Sequence, residues 1–430
     1  MKIFPILFLL ALYSLADAQS ILSVDDAVKT ALKNNYGILI AKNDADISKV
    51  NNTSGNAGML PNVSVFGNGR FESNNLTQNY SGGNESKYTG LATTSLNAGT
   101  ELSWTVFDGG KMFVTKNKLN EMQNLGDIQF KDKVLQTQYE VIAAYYEIVK
   151  QKQQLISIKE IINYNTELLK ILQIAYDGGS LLKTNLLQAK IDLNVYTENS
   201  INQEFTIEAA KRNLNQLIGA NTDNIFEVSD SIPLSYTIDK AELNKKIYTS
   251  NTTILSSQKE IDIAKLTISE YMRMRYPLIN FNAGYYISQT KNSEGSLIKS
   301  QSYGPQLGGS ISFPLFQSGK INRQISIARL DVESASFNLE NVKLQIQKDL
   351  LNAIKTYENQ QSLLQIEITN NEYTKEMLEI SLQRMKLGQT TSLEVHQAQE
   401  NYVQSCTRLI NFKFNVKISE TKLKQLMAVL

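Results

Sequence analysis

The sequence predicts a mixed α+β membrane protein in which long helices continue into pairs of lipid-facing β-strands. Three observations predict this class. A seven-residue apolar repeat runs through long stretches poor in Gly and Pro, short segments alternate apolar and polar residues, and both features recur along the chain. The alternating segments end at "FDGGK" (107–111) and "FQSGK" (316–320), and helical spacing begins directly after each.

The chain repeats itself at a fixed spacing, which predicts an internal tandem duplication. Phe107 and Phe316 are 209 positions apart. Other pairs share that spacing: Gly110 and Gly319, Lys111 and Lys320, Gly179 and Gly388, and Leu217 and Leu426. Upstream, Asn35 and Asn251 are 216 positions apart, as are Pro61 and Pro277. The seven-residue difference in length between the two copies therefore falls between the proline and the phenylalanine of each copy. We therefore expect a first repeat at 19–219, a connector at 220–240 and a second repeat at 241–430.

Each repeat is predicted to contain a helix, a β-hairpin, a long helix, a turn and a last helix. In the first repeat these fall at 25–58, 61–107, 111–175, 176–180 and 181–218. In the second, the hairpin is expected at 277–316 and the turn at 386–389. Gly178 and Gly179 supply the positive φ that ends helices. The polar segments 72–87 and 289–302 are expected to be external loops.

Apolar residues recur every seven positions along both long helices, which favours helices that wind around one another. The series are Val134, Val141, Ile148, Leu155, Ile162, Leu169 and Tyr176, then Leu350, Tyr357, Leu364, Leu378 and Met385, with Asn371 as a misfit. The two shorter helices of a repeat together match the long one, as an extended antiparallel bundle requires. This feature alone leaves an isolated coiled-coil rod open.

The alternating segments resemble the strands of transmembrane β-barrels. One face of the second strand carries Leu96, Ala98, Thr100, Leu102, Trp104 and Val106. Residues 279–287 and 307–315 alternate in the same way. Aromatic residues cluster at one end of the strands, where an interfacial girdle would lie: Trp104, Phe107, Tyr276, Phe313 and Phe316. The strands alone also fit a soluble sandwich half-covered by helices.

Four strands cannot close a membrane barrel, and an open edge in lipid leaves backbone groups without hydrogen bonds. The chain is therefore expected to oligomerise, with each subunit donating four strands. The points where the chain leaves the membrane are expected at Phe107, Gly109, Gly110, Phe316 and Gly319.

The composition excludes several classes of function. A net charge of +1 gives no basic surface for nucleic acid, and one Cys and one His exclude a disulfide framework and a His-rich metal cluster. We expect no cofactor, no metal and no enzymatic activity. Residues 1–18 read as a secretory signal, since the apolar run is short for a membrane anchor. His396 is expected to be a packed or solvated residue, and Cys406 a small buried hydrophobe.

Taken in order, these pieces resemble the TolC family of outer-membrane efflux proteins over nearly the whole mature chain. The marks are "TVFDGGK" and "FPLFQSGK", the turns "YDGGSLLKTNLLQAK" and "LGQTTSLEVHQAQ", and the segments "SVDDAVKTALKNN" and "AGMLPNVSV". The resemblance implies a homotrimer with a twelve-stranded outer-membrane barrel and a coiled-coil helical tunnel in the periplasm. It implies a passive exit duct that meets a periplasmic adaptor and an inner-membrane pump of the RND, ABC or MFS type.

The resemblance also implies site residues. The turns expected to dock on the adaptor are Asp177, Gly178, Gly179, Leu387, Gly388 and Gln389. The tunnel mouth is expected at Glu394 and Gln397, with Asn185 and Gln188 in the first repeat. Three Glu394 carboxylates would form a ring with modest cation preference, although Gln397 departs from the acidic pattern and a solvated Glu394 is the alternative. Thr390 stands where some members hold the mouth shut with Arg.

Two other classes stay open on the sequence. A secreted coiled-coil structural or surface protein without a pore fits the heptads but leaves the duplicated strands unexplained. A periplasmic adaptor also has a helical hairpin, but a single hairpin between β domains is expected there.

Overall fold

A computed structural model describes residues 21–430, and the expected signal at 1–18 lies outside that range. These residues form eight helices and one antiparallel sheet with the strand order β1-β2-β3-β4. The predicted combination of long helices with four strands per chain is confirmed. The elements, in chain order, are α1 Val24–Asn34, α2 Tyr36–Asn51, β1 Asn62–Asn79, β2 Glu85–Asp108, α3 Lys111–Asp177, α4 Lys183–Leu217, α5 Lys240–Ser250, α6 Thr252–Arg273, β3 Leu278–Asn292, β4 Lys299–Ser312, α7 Lys320–Lys386 and α8 Ser392–Leu426.

The chain divides into two compact units. The first unit contains the described residues up to 42, together with 130–252 and 343–430. The second contains 43–129 and 253–342, including the whole sheet. Helices α3 and α7 contribute residues to both units.

The first unit has two apolar cores. One gathers α1, α3, α4 and the irregular segment after α4 around residues such as Val141, Tyr145, Leu214 and Phe226. The other joins α3, α4, α7 and α8 near their turns, around residues such as Leu172, Leu378 and Val395. The heptad residues Val141, Ile148, Leu350, Tyr357, Leu364, Leu378 and Met385 are buried. The side chain of Asn371, the heptad misfit, donates hydrogen bonds to Ser405 Oγ and Cys406 Sγ at 3.3 Å each.

A single helix over 25–58 was expected, and this prediction was wrong because the chain breaks at Asn35. The Asn35 backbone N–H donates to Ala31 O at 2.9 Å and ends α1, while its Oδ1 accepts from Ile38 N at 3.0 Å and caps α2. Its Nδ2 also donates to Leu217 O at 2.7 Å, where α4 leaves carbonyls unpaired. Asn251 divides α5 from α6 in a similar way, and its Nδ2 donates to Leu426 O at 3.0 Å.

The hairpins lie close to the expected bounds, but their strands are longer than expected, so the interpretation of 72–87 and 289–302 as loops was wrong. Strand β1 continues to Asn79, β2 starts at Glu85, and the second turn spans only the residues between Asn292 and Lys299. Strand pairing uses backbone groups, so polar side chains do not prevent it. The ladder adapts at one irregularity between Asn74 and Leu76.

Among the described residues, no helix combines the length and the apolar character needed to span a membrane.

Candidate functional site

The strand register places the alternating residues on two chemically different faces of the sheet. Val63 lies opposite Leu102, which lies opposite Ala283, which lies opposite Leu307. The exposed members of this apolar face are Val63, Val65, Phe71, Leu96, Trp104, Phe281, Tyr285, Ile287, Tyr303, Leu307 and Ile311. Such a broad apolar surface is rare in contact with water and is typical of a sheet that faces lipid.

The opposite face is mostly polar, and its polar side chains bond to one another across strands. Asn97 donates to Asn68 Oδ1 at 2.9 Å and accepts from Ser288 Oγ at 2.7 Å. Thr105 donates to Asn280 Oδ1 at 3.0 Å. This face is suited to contact with water, so the sheet is amphipathic across its thickness.

The predicted membrane-interface residues lie where the strands end and the long helices begin. The register shifts between Thr105 and Phe107, and Phe107 then pairs with Ile279 of the apolar face. The indole N–H of Trp104 donates to Met59 O at 3.0 Å. Near the end of β4, Leu315 and Phe316 are among the most exposed apolar side chains of the described residues. These aromatic groups occupy one end of the sheet, as expected.

The glycines at the two junctions adopt conformations that other residues reach only with strain. Gly109 has φ +77°, and a Cβ there would lie 2.4 Å from Arg273 O and 2.6 Å from Tyr276 Cβ. Gly110 has φ +80°, and a Cβ there would make only an ordinary contact with Phe113 at 3.9 Å. Gly319 has φ +69°, with open space around it. Ser318 takes the position equivalent to Gly109 with φ +49°. The Asp108 carboxylate accepts from Met112 N at 3.1 Å and caps α3.

The two turns expected to dock on an adaptor end their long helices in the same way. At the first, Ser180 N donates to Ala175 O and Gly179 N to Tyr176 O, each at 2.9 Å. At the second, Gln389 N donates to Arg384 O at 2.9 Å and Gly388 N to Met385 O at 3.0 Å. Both Gly179 and Gly388 have positive φ, so each turn is a Schellman motif.

The predicted turn residues are all exposed: Asp177, Gly178, Gly179, Leu387, Gly388 and Gln389. Leucines beside them are unusually exposed, with Leu182 at 73%, Leu387 at 70% and Leu393 at 74% of their accessible surface. Exposed leucines around a rigid turn are typical of a protein contact surface.

Glu394, the predicted constriction residue, is held by its own hairpin. Its carboxylate pairs with Arg384 Nη1 at 2.7 Å and accepts a hydrogen bond from the Thr390 hydroxyl. Its backbone N–H donates to Thr391 Oγ1 at 3.3 Å, which caps α8. Gln397 is exposed one turn further on and donates to Asn401 Oδ1 at 3.4 Å.

The first-repeat residues Asn185 and Gln188 line a cavity of about 400 Å³ between α3, α4 and α8, which Glu394 and Gln397 do not line. Gln188 donates to Asp192 Oδ1 at 2.8 Å. His396 lines the same cavity, half-buried, with Nδ1 3.6 Å from Asp192 and Nε2 3.6 Å from Glu400. Within one chain, the four predicted mouth residues therefore form two separate groups.

Across residues 21–430, no group of His, Cys, Asp and Glu side chains is arranged to hold a metal ion. Cys406 is buried and free, as expected for a small hydrophobe. Near the turns, Lys386 lies 2.6 Å from Glu167, and this hydrogen bond lowers the pKa of the Glu167 carboxyl. The turns therefore offer exposed surfaces and charge pairs.

Sequence reasoning missed the partner of Glu394. Thr391-x-x-Glu394 is the pattern of a capping box, and this signal could have located the start of α8. Arg384 stands ten residues before Glu394 and reaches it only because the turn between them is closed. No short-range pattern indicates that contact.

Comparison with known protein families finds a match for the second half of the chain. Residues 243–429 match the family model described as "Outer membrane efflux protein". These residues form an outer membrane efflux protein domain. The resemblance predicted from the sequence is thereby confirmed, and the domain supports a role as an efflux channel. No curated protein matches the chain.

Solved structures show the same fold over nearly the whole length. The outer membrane protein VceC from Vibrio cholerae aligns with a TM-score of 0.75 at 15% identity, covering 94% of this chain and 96% of VceC. The CmeC outer membrane channel of Campylobacter jejuni aligns with a TM-score of 0.76 at 16% identity, covering 94% and 85%. The MtrE outer membrane channel of Neisseria gonorrhoeae gives 0.73 at 15%, covering 94% and 88%.

The matched domain is that of outer membrane efflux proteins, so residues 243–429 place this protein in the outer membrane and among efflux proteins rather than enzymes.

Proposed function

We propose that three copies of this chain form a passive exit duct, with twelve strands closing one barrel and the helices forming a periplasmic tunnel. The sheet carries this proposal. Its edge strands, β1 and β4, have no further strand beside them in the described chain, and one face is apolar and exposed. In lipid, unpaired edges are prohibitive, so sheets from several chains must join edge to edge.

Exposed heptads on the helices support self-association. Large apolar side chains of α7 recur every seven residues outside the buried series: Leu330, Phe337, Leu344 and Leu351, then Ile366, Tyr373 and Ile380, with Leu387 directly after the helix. A second seam lies on α4, where Leu187 and Ile201, like Ile191 and Phe205, are exposed and two heptads apart. Heptad seams of this kind are favourable only when another helix covers them. Two different seams on one chain suit a ring in which each subunit meets the next.

The proposed tandem duplication is supported by equal element lengths. Helices α1 and α5 both contain 11 residues, α3 and α7 both contain 67, and α4 and α8 both contain 35. The domain organisation expected from the sequence, two repeats joined by a connector at 220–240, is retained as part of this proposal. A ring of three duplicated chains would present six similar helical hairpins, each a long helix joined by a turn to the helix after it.

The duct would receive substrates from an inner-membrane pump of the RND, ABC or MFS type through a periplasmic adaptor, as in tripartite efflux or type I secretion. The exposed leucines around both turns support docking of the adaptor there. The energy for transport would come from the pump, because a duct only provides a path. A secreted coiled-coil protein without a pore leaves the apolar face of the sheet unexplained.

Three measurements on the full-length protein test this function. We expect it in the outer-membrane fraction after a salt wash, at the mass of three chains in detergent, and conducting ions in planar lipid bilayers. A monomer that stays soluble without detergent and gives no conductance would overturn the proposal.

A further inference from the structure

Arg384 is placed to decide how much charge Glu394 presents. The Arg384 guanidinium lies across the second turn, with Nη1 2.7 Å from Glu394 Oε1 and Nη2 donating to Gln389 O at 3.1 Å. The other carboxylate oxygen of Glu394 accepts from Thr390. Both oxygens of Glu394 are therefore engaged within its own hairpin.

The turn does not need this arrangement in order to fold. In the first hairpin, the positions equivalent to Arg384 and Glu394 are Ala175 and Asn185, which carry no charge. That hairpin nevertheless forms the same Schellman motif at Gly179. The ion pair is also half-exposed, with 45% of the Arg384 side chain and 47% of the Glu394 side chain accessible. Exposed pairs of this kind contribute little to stability.

We propose that Arg384 is a specificity-determining residue, which neutralises Glu394 at the mouth of the duct. The inference rests on the proposed function, because only an assembled duct has a mouth. With Arg384 in place, each subunit adds one positive and one negative charge that lie in contact. A ring of such pairs has little net field and gives weak ion selectivity, whereas a ring of bare carboxylates attracts cations.

Of the other acidic groups close to the turns, Glu167 has a cation of its own, whereas Asp177 and Asp192 are held by neutral amides. Lys386 of α7 contacts Glu167 of α3 at 2.6 Å. Asp177 accepts a hydrogen bond from Gln173, and Asp192 accepts one from Gln188 and lies 3.6 Å from His396. Removing Arg384 would therefore leave the Glu394 carboxylate without its cation in each subunit.

The test is the reversal potential of single channels in a salt gradient, measured for the wild type and three variants. Arg384→Met leaves Glu394 bare and should raise the permeability ratio of K⁺ to Cl⁻ by roughly threefold, the effect of one unit charge at close range in water. Glu394→Gln leaves Arg384 bare and should shift the ratio by a similar factor toward Cl⁻. The double variant should return close to the wild-type ratio.

Lys355→Met is the matched control, because it removes one cation from an exposed ion pair with Glu358 on α7, far along the helix from the turn. It should leave the ratio unchanged. The inference is wrong if the wild type conducts but Arg384→Met and Glu394→Gln leave the permeability ratio unchanged or shift it in the same direction. In that case the proposed function as a duct is not contradicted. If the wild type gives no conductance, the proposed function and this inference both fail.

Discussion

Glu227 illustrates how single charged residues fix the irregular segment after α4 to the helices of the first unit. Its carboxylate contacts Lys211 Nζ at 2.9 Å and Lys152 Nζ at 3.0 Å, and its backbone carbonyl accepts from Leu22 N at 2.7 Å. Burial opposes ionisation of Glu227, but the hydrogen bonds from Lys211 and Lys152 outweigh it and lower the pKa of the carboxyl. The folded state therefore stabilises the ionised form.

We expect Glu227→Gln to lower the free energy of unfolding by about 2 kcal/mol at neutral pH, because two partly buried lysines lose their anion. The folded-state pKa lies below the ordinary value of 4.5, so this stabilisation is present above that value and is lost as the pH falls through the folded-state pKa. Thermal unfolding in detergent at several pH values measures it. The difference from wild type should shrink in acid.

Asp230→Asn is the matched control for this prediction. Asp230 contacts the same Lys152 at 2.8 Å but is mostly exposed, so its removal should change the unfolding temperature little. Equal effects of the two variants, or an effect of Glu227→Gln that is independent of pH, would contradict the account.

Gly109 gives a second prediction at the residue scale. Gly109→Ala adds a Cβ that meets Arg273 O and Tyr276 Cβ, in addition to the strain of φ +77°. Gly319→Ala meets open space at φ +69° and suffers only the backbone strain of about 1–2 kcal/mol. We expect Gly109→Ala to reduce the yield of folded protein in the outer-membrane fraction much more than Gly319→Ala does. Similar yields would argue against the close approach at Gly109.

At the scale of elements, the breaks at Asn35 and Asn251 tie the first helices of each half to the ends of α4 and α8. Asn251→Ala removes the donor to Leu426 O and leaves a buried carbonyl without its partner. We expect a loss of about 2 kcal/mol in the free energy of unfolding. The control is Asn244→Ala, because Asn244 is exposed and bonds only to Lys240 O of its own helix. An equal loss in the two variants would refute the role of the helix break.

The elements also show what sequence can and cannot predict here. Periodicity located the long helices, and the glycines at 179 and 388 located the turns, because both are local properties. The sequence placed Asn35 inside a helix, since the hydrogen bond that stabilises the break there is made to Leu217, 182 residues away. The polar ends of the first hairpin were read as loop because side-chain polarity says nothing about backbone pairing. The Arg384 contact with Glu394 was missed because it depends on a closed turn.

At the scale of the whole molecule, the proposed trimer would cover the remaining exposed apolar surface with other copies of the same chain. Within the first unit, Tyr164 of α3 packs edge to face on Tyr402 of α8, with ring centroids 6.4 Å apart. The equivalent of Tyr164 in the second half, 209 positions on, is Tyr373, which is 65% exposed on the α7 seam. If subunits meet as the halves of one chain do, Tyr373 contacts α4 of the next subunit.

This reasoning predicts that Tyr373→Arg will weaken the trimer without unfolding the chain, because a charged group would enter an apolar helix contact. The mass of the purified protein in detergent should fall toward one chain, while its helical circular dichroism stays close to wild type. Gln365→Arg is the matched control, since it adds the same charge at an exposed position of α7 outside the apolar seam. A trimer that survives Tyr373→Arg as well as it survives Gln365→Arg would show that this seam does not hold the subunits together.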